Sequence, residues 1–245
     1  MSKSVILIPS RLSASRLPGK PLLKINGTSI ISHVVNKAKE ADVGEVYVAT
    51  EDKDILTEVN LNGGKAILTS NKHKTGSDRI FECFEKLNLK NIDYIINLQG
   101  DEPNININDL RHLNNLIKVN KPEIGTLASK LNDKVNINNA NVVKVITESK
   151  INNTNFPFAL DFKRKVKDLN LNIYHHLGIY AYKPDILKKL VKLKQTNNEI
   201  KYRLEQLRAM ENRIKINVGL AKHCPIGIDT MEDYIALKKI LEYKS

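Results

Sequence analysis

Five short segments of the chain carry residue types suited to phosphate and metal chemistry, and most of them follow an apolar run. The first, Pro9 to Pro21, holds Arg11, Arg16 and Lys20, with Ser10, Ser13, Ser15 and Gly19 between them. An arginine fork takes two phosphate oxygens and a lysine supplies a movable point charge, so this loop suits a polyphosphate. A solvated basic loop is the alternative. The segment matches neither GxGxxG nor a Walker P-loop, because Pro21 rather than Ser or Thr follows Lys20.

The second segment, Thr69 to Arg79, contains Ser77 and Asp78, either of which suffices to cap a following helix. Arg79 then falls in the first helical turn, where the helix dipole disfavours a cation, and a cation placed there points to a ligand. In the third, Gln99-Gly-Asp-Glu-Pro103, an acidic pair directly follows an apolar strand. Magnesium takes few protein oxygens and is completed by substrate phosphates, so Asp101 and Glu102 stand where such an ion is useful. A turn built on Gly100 and Pro103 is the alternative. The fourth, Tyr174 to Tyr182, places His176, Gly178 and Tyr180 on one face of a strand, and a lone histidine there also reads as a structural residue. The fifth, Gly227 to Asp233, sets Asp229 ahead of a last helix with Thr230 at its N-cap.

These segments need a scaffold. Ser4–Ile8, Glu45–Ala49, Lys65–Thr69 and Asp93–Leu98 read as buried strands. Thr28–Ala41, Asp52–Leu61, Ser77–Leu87 and Asn108–Val119 show helical apolar spacing. Strand and helix thus alternate through the first 120 residues, the pattern of a mainly parallel sheet with helices on both faces. In such open sheets ligands bind outside the carboxyl ends of the strands. The alternation then loosens. Val142–Thr147, Ile173–Tyr182 and Ile214–Leu220 read as strands, and Leu204–Arg213 and Met231–Tyr243 as helices. The asparagine-rich pieces 104–108 and 132–141 read as loops. No linker composition divides the chain, so the expectation is an α/β protein of one domain, 1–245, with an inserted β-rich region at about 125–185.

Composition excludes several classes. A 41% hydrophobic content is enough for a core and too high for disorder. No apolar run approaches the ~20 residues needed to span a bilayer. The N-terminal apolar stretch is too short for a signal peptide. The two cysteines, Cys83 and Cys224, form no CxxC, so neither a disulfide framework nor a thiolate zinc site is expected. The expectation is a soluble, cytoplasmic protein with no membrane partner. The net charge of +12 suggests nucleic acid, but 31 of the 39 cations are lysines spread along the chain and aromatics are only 5%. A nucleic-acid surface clusters its cations and adds stacking rings, so no nucleic-acid partner is expected.

Taken in order, the motifs resemble the cytidylyltransferases that activate 3-deoxy-manno-octulosonate. The matching segments are Ile8–Leu22, Val48–Thr50, Thr75–Arg79, Asn97–Pro103, Asn141–Val145, His176–Tyr180, Leu204–Arg208 and Ile228–Thr230. The resemblance implies a Rossmann-like nucleotidyltransferase fold whose β-rich excursion serves dimerisation. It also implies a Mg²⁺-dependent, cytoplasmic homodimer that transfers CMP from CTP to the sugar acid for lipopolysaccharide synthesis. Carried over residue by residue, it assigns Arg11, Ser15 and Lys20 to the CTP phosphates, with Asp78 and Gln99 completing the nucleotide site. Arg79 and Gln99 fall between nucleotide and sugar acid. His176, Tyr180, Glu205 and Gln206 orient the sugar acid, and Asp101 and Asp229 hold the metal. Lys20, Asp101 and Arg79 form the catalytic group.

Two departures stand out. A Ser-Arg pair usual before an Ile-Pro-aromatic strand is replaced by Asn152-Asn-Thr-Asn-Phe-Pro-Phe158, and a proline after the Asp-Thr motif is Met231. The first leaves open a related acceptor such as an 8-amino sugar acid. A metal-dependent glycosyltransferase is a rival, although it typically uses an Asp-x-Asp that Gly100-Asp-Glu-Pro103 does not supply.

Overall fold

In a computed structural model, residues 3–13, 16–131, 137, 139–168, 170–224 and 227–242 are described. The first strand, β1 (Ser4–Ser10), is buried on both faces, with Val5 to Ile8 wholly inaccessible, as a central parallel strand must be. A small hairpin, β2 (Lys24–Ile25) and β3 (Thr28–Ser29), leads into helix α1 (Ile30–Ala41). Ser29 caps this helix, its side chain accepting from the Ser32 N–H, and Ile30, Ile31, Val34, Val35, Ala38 and Ala41 form its buried stripe. The chain continues through β4 (Gly44–Thr50), α2 (Lys53–Leu61), β5 (Ala66–Leu68), α3 (Gly76–Leu87), β6 (Tyr94–Asn97) and α4 (Ile107–Asn120). The strand order β6-β1-β4-β5 departs from sequence order. β1 pairs in parallel with β4 from Ser4↔Gly44 to Ser10↔Thr50, and β4 with β5.

The second half contributes β7 (Ile124–Lys130), β8 (Lys144–Thr147), β9 (Ala159–Lys163), β10 (Asn172–Tyr182), α5 (Pro184–Lys192), α6 (Asn197–Tyr202), α7 (Gln206–Glu211), β11 (Ile216–Leu220) and α8 (Met231–Glu242). β10 runs antiparallel to β7 and to β8, β8 antiparallel to β9, and β11 parallel to β7.

The chain divides into two compact units. One comprises Lys3–Ile92, Ile96–Arg111 and Pro225–Ser245; the other is built mainly of His112–Cys224. The expected strands and helices of the first 120 residues are present within a residue or two. The single helix expected over 204–213 is shorter: Arg203 has a left-handed φ of 53°, α7 starts at Gln206, and Arg213 (φ 60°) turns the chain toward β11. β2, β3, α5 and α6 have no counterpart in the sequence analysis, and β7 and β9 are covered there only by the β-rich region at about 125–185. α5 carries a readable sign, a proline at its first position. Part of the 132–141 segment, residues 132–136 and 138, lies outside the described residues, while Asn108 belongs to α4 rather than a loop.

Candidate active site

The basic loop after β1 is held by backbone bonds. Leu12 N–H donates to Asp52 Oδ2 at 2.7 Å, and Gly19 N–H donates to the Leu12 carbonyl at 3.0 Å. Gly19 sits at φ 72°, a conformation a side chain strains, and from there the chain enters a 3-10 turn, Lys20–Leu22. Leu17, Ile25, Ile30, Ile228 and Leu237 pack into one apolar cluster that ties the loop to α8. Lys20 is therefore buried, at 9% exposure, and its ammonium must find partners within the fold.

Those partners are acids from two other segments. Lys20 Nζ donates to Asp101 Oδ2 at 2.7 Å and to the Ile228 carbonyl, and lies 3.9 Å from Asp229 Oδ1. Arg16 pairs with the same Asp229 oxygen at 2.9 Å. Ile228 N–H donates to the Asp101 carbonyl at 3.1 Å, joining the two acidic segments through the backbone. At the start of α8, Thr230 and Asp233 form a reciprocal cap: Asp233 N–H donates to Thr230 Oγ1 and Thr230 N–H to Asp233 Oδ2. The expected N-cap at Thr230 is present, and the Asp229 carboxylate is left to the cations. Gly100 is required by close approach, because a Cβ there would stand 2.9 Å from the Pro9 carbonyl oxygen. Together the segments enclose a cleft of about 330 Å³ whose walls include Arg11, Arg16, Lys20, Gln99, Asp101 and Asp229.

Of the expected acidic pair, only Asp101 reaches the cations. The Oε2 of Glu102 is buried without a hydrogen-bond partner, and burial together with the neighbouring Asp101 charge pushes its carboxyl up to about 8. Glu102 is neutral at pH 7 and adds no charge beside Asp101.

At the α3 end of the cleft, two of the expected site residues have partners within the protein. Asp78 is expected to bind nucleotide. Its carboxylate accepts from the Thr75 N–H at 3.1 Å while Thr75 Oγ1 accepts from the Asp78 N–H, a capping box at the start of α3. Arg79 does line the cleft, but it is only 3% exposed, and its guanidinium donates to Thr69 Oγ1 at 2.8 Å and pairs with Glu51. The first-turn cation that opposes the helix dipole is thus matched by a carboxylate from the end of β4. Glu51, not singled out by the sequence analysis, is the partner of Arg79, and its place just after Val48-Ala-Thr50 is the available sign. Ser15 lies outside the described residues.

Beside this end, His73 is held by Glu82, which also accepts from the Ser70 N–H at 2.9 Å and from Lys86 at 2.7 Å. Burial pushes the Glu82 carboxyl up, but the bonds from Lys86, Ser70 and His73 prevail and bring it down to about 2. A depressed carboxylate pKa contributes stability above its unfolded value, which is lost as pH falls through the folded value. Glu82→Gln is expected to cost roughly 2 kcal/mol at pH 7, after allowance for its partial exposure. The difference from wild type should shrink below pH ~4.5 and vanish near 2, as urea melts across that range would read.

The other unit holds the residues expected on the sugar-acid side. His176 is buried; its Nε2 lies 3.0 Å from Thr126 Oγ1, which itself donates to the Ile179 carbonyl at 2.6 Å. The histidine ring meets Phe162 edge-on at 5.0 Å and Tyr180 at 5.2 Å. Burial, then the charge of His175, brings His176 down to about 3, so the imidazole is neutral. The Tyr180 hydroxyl is buried without a hydrogen-bond partner. Glu205 lies 3.6 Å from Arg208, and Gln206 opens α7. Asn152 and Asn155 are spent on a turn, where Asn152 Oδ1 accepts from the Thr154 and Asn155 N–H groups, and Asn153 is exposed.

A parallel sheet with a basic loop after its first strand and facing carboxylates near its strand ends defines a Rossmann-like nucleotidyltransferase. UDP-glucose pyrophosphorylase shares this fold, with a TM-score of 0.73 at 16% identity over the full length of both chains. The chain belongs to the cytidylyltransferase family, which matches residues 5–216, and within it groups with the 3-deoxy-manno-octulosonate cytidylyltransferases. The relative of that name from Thermodesulfovibrio yellowstonii is 41% identical, with 97% of this chain and 98% of the relative covered. The one from Afipia carboxidovorans is 40% identical, covering 97% and 96%. A solved CMP:2-keto-3-deoxy-manno-octonic acid synthetase complexed with CTP superposes with a TM-score of 0.90 at 34% identity, over the whole of both chains. No helix among the described residues is long and apolar enough to cross a membrane.

Proposed function

We propose that this protein transfers CMP from CTP to the anomeric hydroxyl of 3-deoxy-manno-octulosonate, releasing pyrophosphate, with Mg²⁺ held by Asp101 and Asp229. The supporting observation is Lys20, whose Nζ faces both carboxylates from the buried end of the basic loop. One cation already stands against Asp101 and Asp229, so the two acids present hard oxygens to a common point. Magnesium takes few protein oxygens, and substrate phosphates would complete its shell. The metal, when bound, polarises the phosphoryl oxygens and neutralises their charge.

The chain's own groups do the rest. Arg11 and Arg16 on the loop attract the triphosphate, and Lys20 offers its charge to the pyrophosphate as it leaves. Attack by the sugar hydroxyl on the α-phosphorus is a displacement in which positioning and charge neutralisation supply most of the rate. His176 and Tyr180 are assigned to the sugar acid. A neutral imidazole and an unpartnered buried hydroxyl suit hydrogen bonding to an acceptor's hydroxyl and carboxylate groups.

Pyrophosphate release from each nucleoside triphosphate against a panel of sugar acids tests the assignment. CTP with the unmodified octulosonate should give the highest kcat/KM, whereas release of free nucleoside diphosphate would indicate a glycosyltransferase instead. Lipopolysaccharide synthesis, a cytoplasmic location and a homodimer belong to the same reading, and sedimentation at micromolar concentration checks the last. Arg11→Lys is expected to raise the KM for CTP about tenfold although the charge is kept, since a point charge replaces a two-pronged donor. An unchanged KM would return the loop to a solvated surface.

A further inference from the structure

The adjacent histidines of β10 point to opposite faces of the strand. His176 turns to Thr126, Phe162 and Tyr180. His175 instead meets Cys224, with Nδ1 3.1 Å and Nε2 3.8 Å from the sulfur. The topology of this unit explains the meeting. β11 ends at Leu220 beside β7, Ala221 N–H donates to the Ala128 carbonyl at 2.9 Å, and the next β7 residue, Ser129, is the register partner of His175. A few residues past its strand, the chain has come within reach of β10.

Three features mark this thiol. Cys224 is exposed, while Cys83, the chain's other cysteine, is buried, with its thiol pushed up to about 12 by burial and the Glu82 charge. A thiol within hydrogen-bond distance of an imidazole has the geometry of an activated nucleophile. Lys144, a fully buried lysine, is the register partner of His175 on β8 and brings positive charge to the pair. Burial, then the Lys144 charge, holds the His175 imidazole below its usual range, so the ring is uncharged at neutral pH and a ring nitrogen can accept from the thiol.

We propose that Cys224 and His175 form an activated thiol site, outside the residues that line the nucleotide cleft, which takes hydroperoxides and is oxidised to a sulfenic acid. The S–H proton passes to His175 Nδ1 as the sulfur attacks one peroxide oxygen. The S–O bond forms and the O–O bond breaks. The departing hydroxide (alkoxide, from an organic hydroperoxide) takes the proton from His175 and leaves as water (or the alcohol), so the sulfur loses two electrons and the peroxide gains them. Cys83, buried and protonated, does not resolve the product into a disulfide, and the sulfenic acid stays open to reduction by a small thiol.

The test treats the full chain with hydrogen peroxide and dimedone at pH 7 and maps the adducts by mass spectrometry. The adduct is expected on Cys224 and not on Cys83, at a rate about tenfold above N-acetylcysteine under the same conditions. In His175→Gln, folded by circular dichroism, Cys224 should fall to the rate of the small thiol. Should that variant fail to fold, wild type in urea serves the same purpose, because the advantage of Cys224 should vanish as the pair separates. A folded-state rate no higher than N-acetylcysteine, or an advantage that survives His175→Gln or unfolding, overturns the proposal.

Discussion

Asp101→Asn is expected to lower pyrophosphate release at least about 10²-fold while the protein keeps its fold, the scale on which loss of one positioned electrostatic group acts. The carboxylate sits where three needs converge: it partners the buried Lys20 ammonium at 2.7 Å, it shares that cation with Asp229, and its backbone carbonyl holds Ile228. Asparagine keeps the shape and the backbone bond but removes the charge. The proposed metal then loses one of its two protein carboxylates, and Lys20 loses its charge partner. Glu102 is no substitute, since it is not among the residues that line the cleft and its Oε2 is buried. Asp229→Asn is expected to be milder, chiefly raising the magnesium concentration at half-maximal rate, because Asp229 is already shared with the exposed Arg16. Turnover and circular dichroism of both variants across a magnesium titration check this. Near-normal activity of Asp101→Asn at low magnesium would remove Asp101 from the metal site.

Much of this cleft is legible in the sequence because its parts follow strands whose apolar runs are unmistakable. Val5 to Ile8 is buried on both faces, so the residues after Ser10 must emerge at a strand end, and the same holds for Gln99 after β6. What the sequence hides is how each polar group is used. Asp78 and Asp229 both stand beside helix starts, yet the first caps its helix while the second is released because Asp233 does the capping. Arg79 reads as a cation that lacks a partner, and only the fold brings Glu51, 28 positions away, to match it while it lines the cleft. Such pairings depend on tertiary approach, which no local spacing encodes. β7 does not stand out as a strand for a related reason: Ile124-Gly-Thr-Leu-Ala-Ser-Lys130 mixes small and polar residues, yet all but Lys130 are buried. Gly125 is small because a Cβ there would come within 2.9 Å of Ile117, and Thr126 is buried because its hydroxyl bonds to β10.

The largest stability effect is expected at Arg208, which the resemblance places beside the sugar-acid residues Glu205 and Gln206. Its guanidinium, 2% exposed, donates to Glu199 through Nε at 2.9 Å and Nη2 at 2.6 Å. This fork ties α7 to the first turn of α6, where Thr196 and Glu199 also form a capping box. Arg208→Ala would leave the Glu199 carboxylate buried without its cation, a change that typically costs about 3–5 kcal/mol. In a chain of this size that lowers the melting temperature by roughly 6–20 °C. Burial alone would push the Glu199 carboxyl up, but the bonds from Arg208 and Gln195 and the Arg208 charge outweigh it and hold it below the usual range. The sign follows from that direction: the pair stabilises above the unfolded carboxylate pKa, and its contribution is lost as pH falls through the folded value. The Arg208→Ala deficit should therefore be full at pH 7 and shrink in acid. Replacing both partners, Arg208→Met with Glu199→Leu, should recover most of the lost stability, because no charge is then left buried. The double variant separates stability from positioning. If Arg208 also orients Glu205, from which it stands 3.6 Å, the stable double variant will keep its KM for CTP and show a raised KM for the sugar acid. An unchanged sugar-acid KM would confine Arg208 to holding α6 and α7 together.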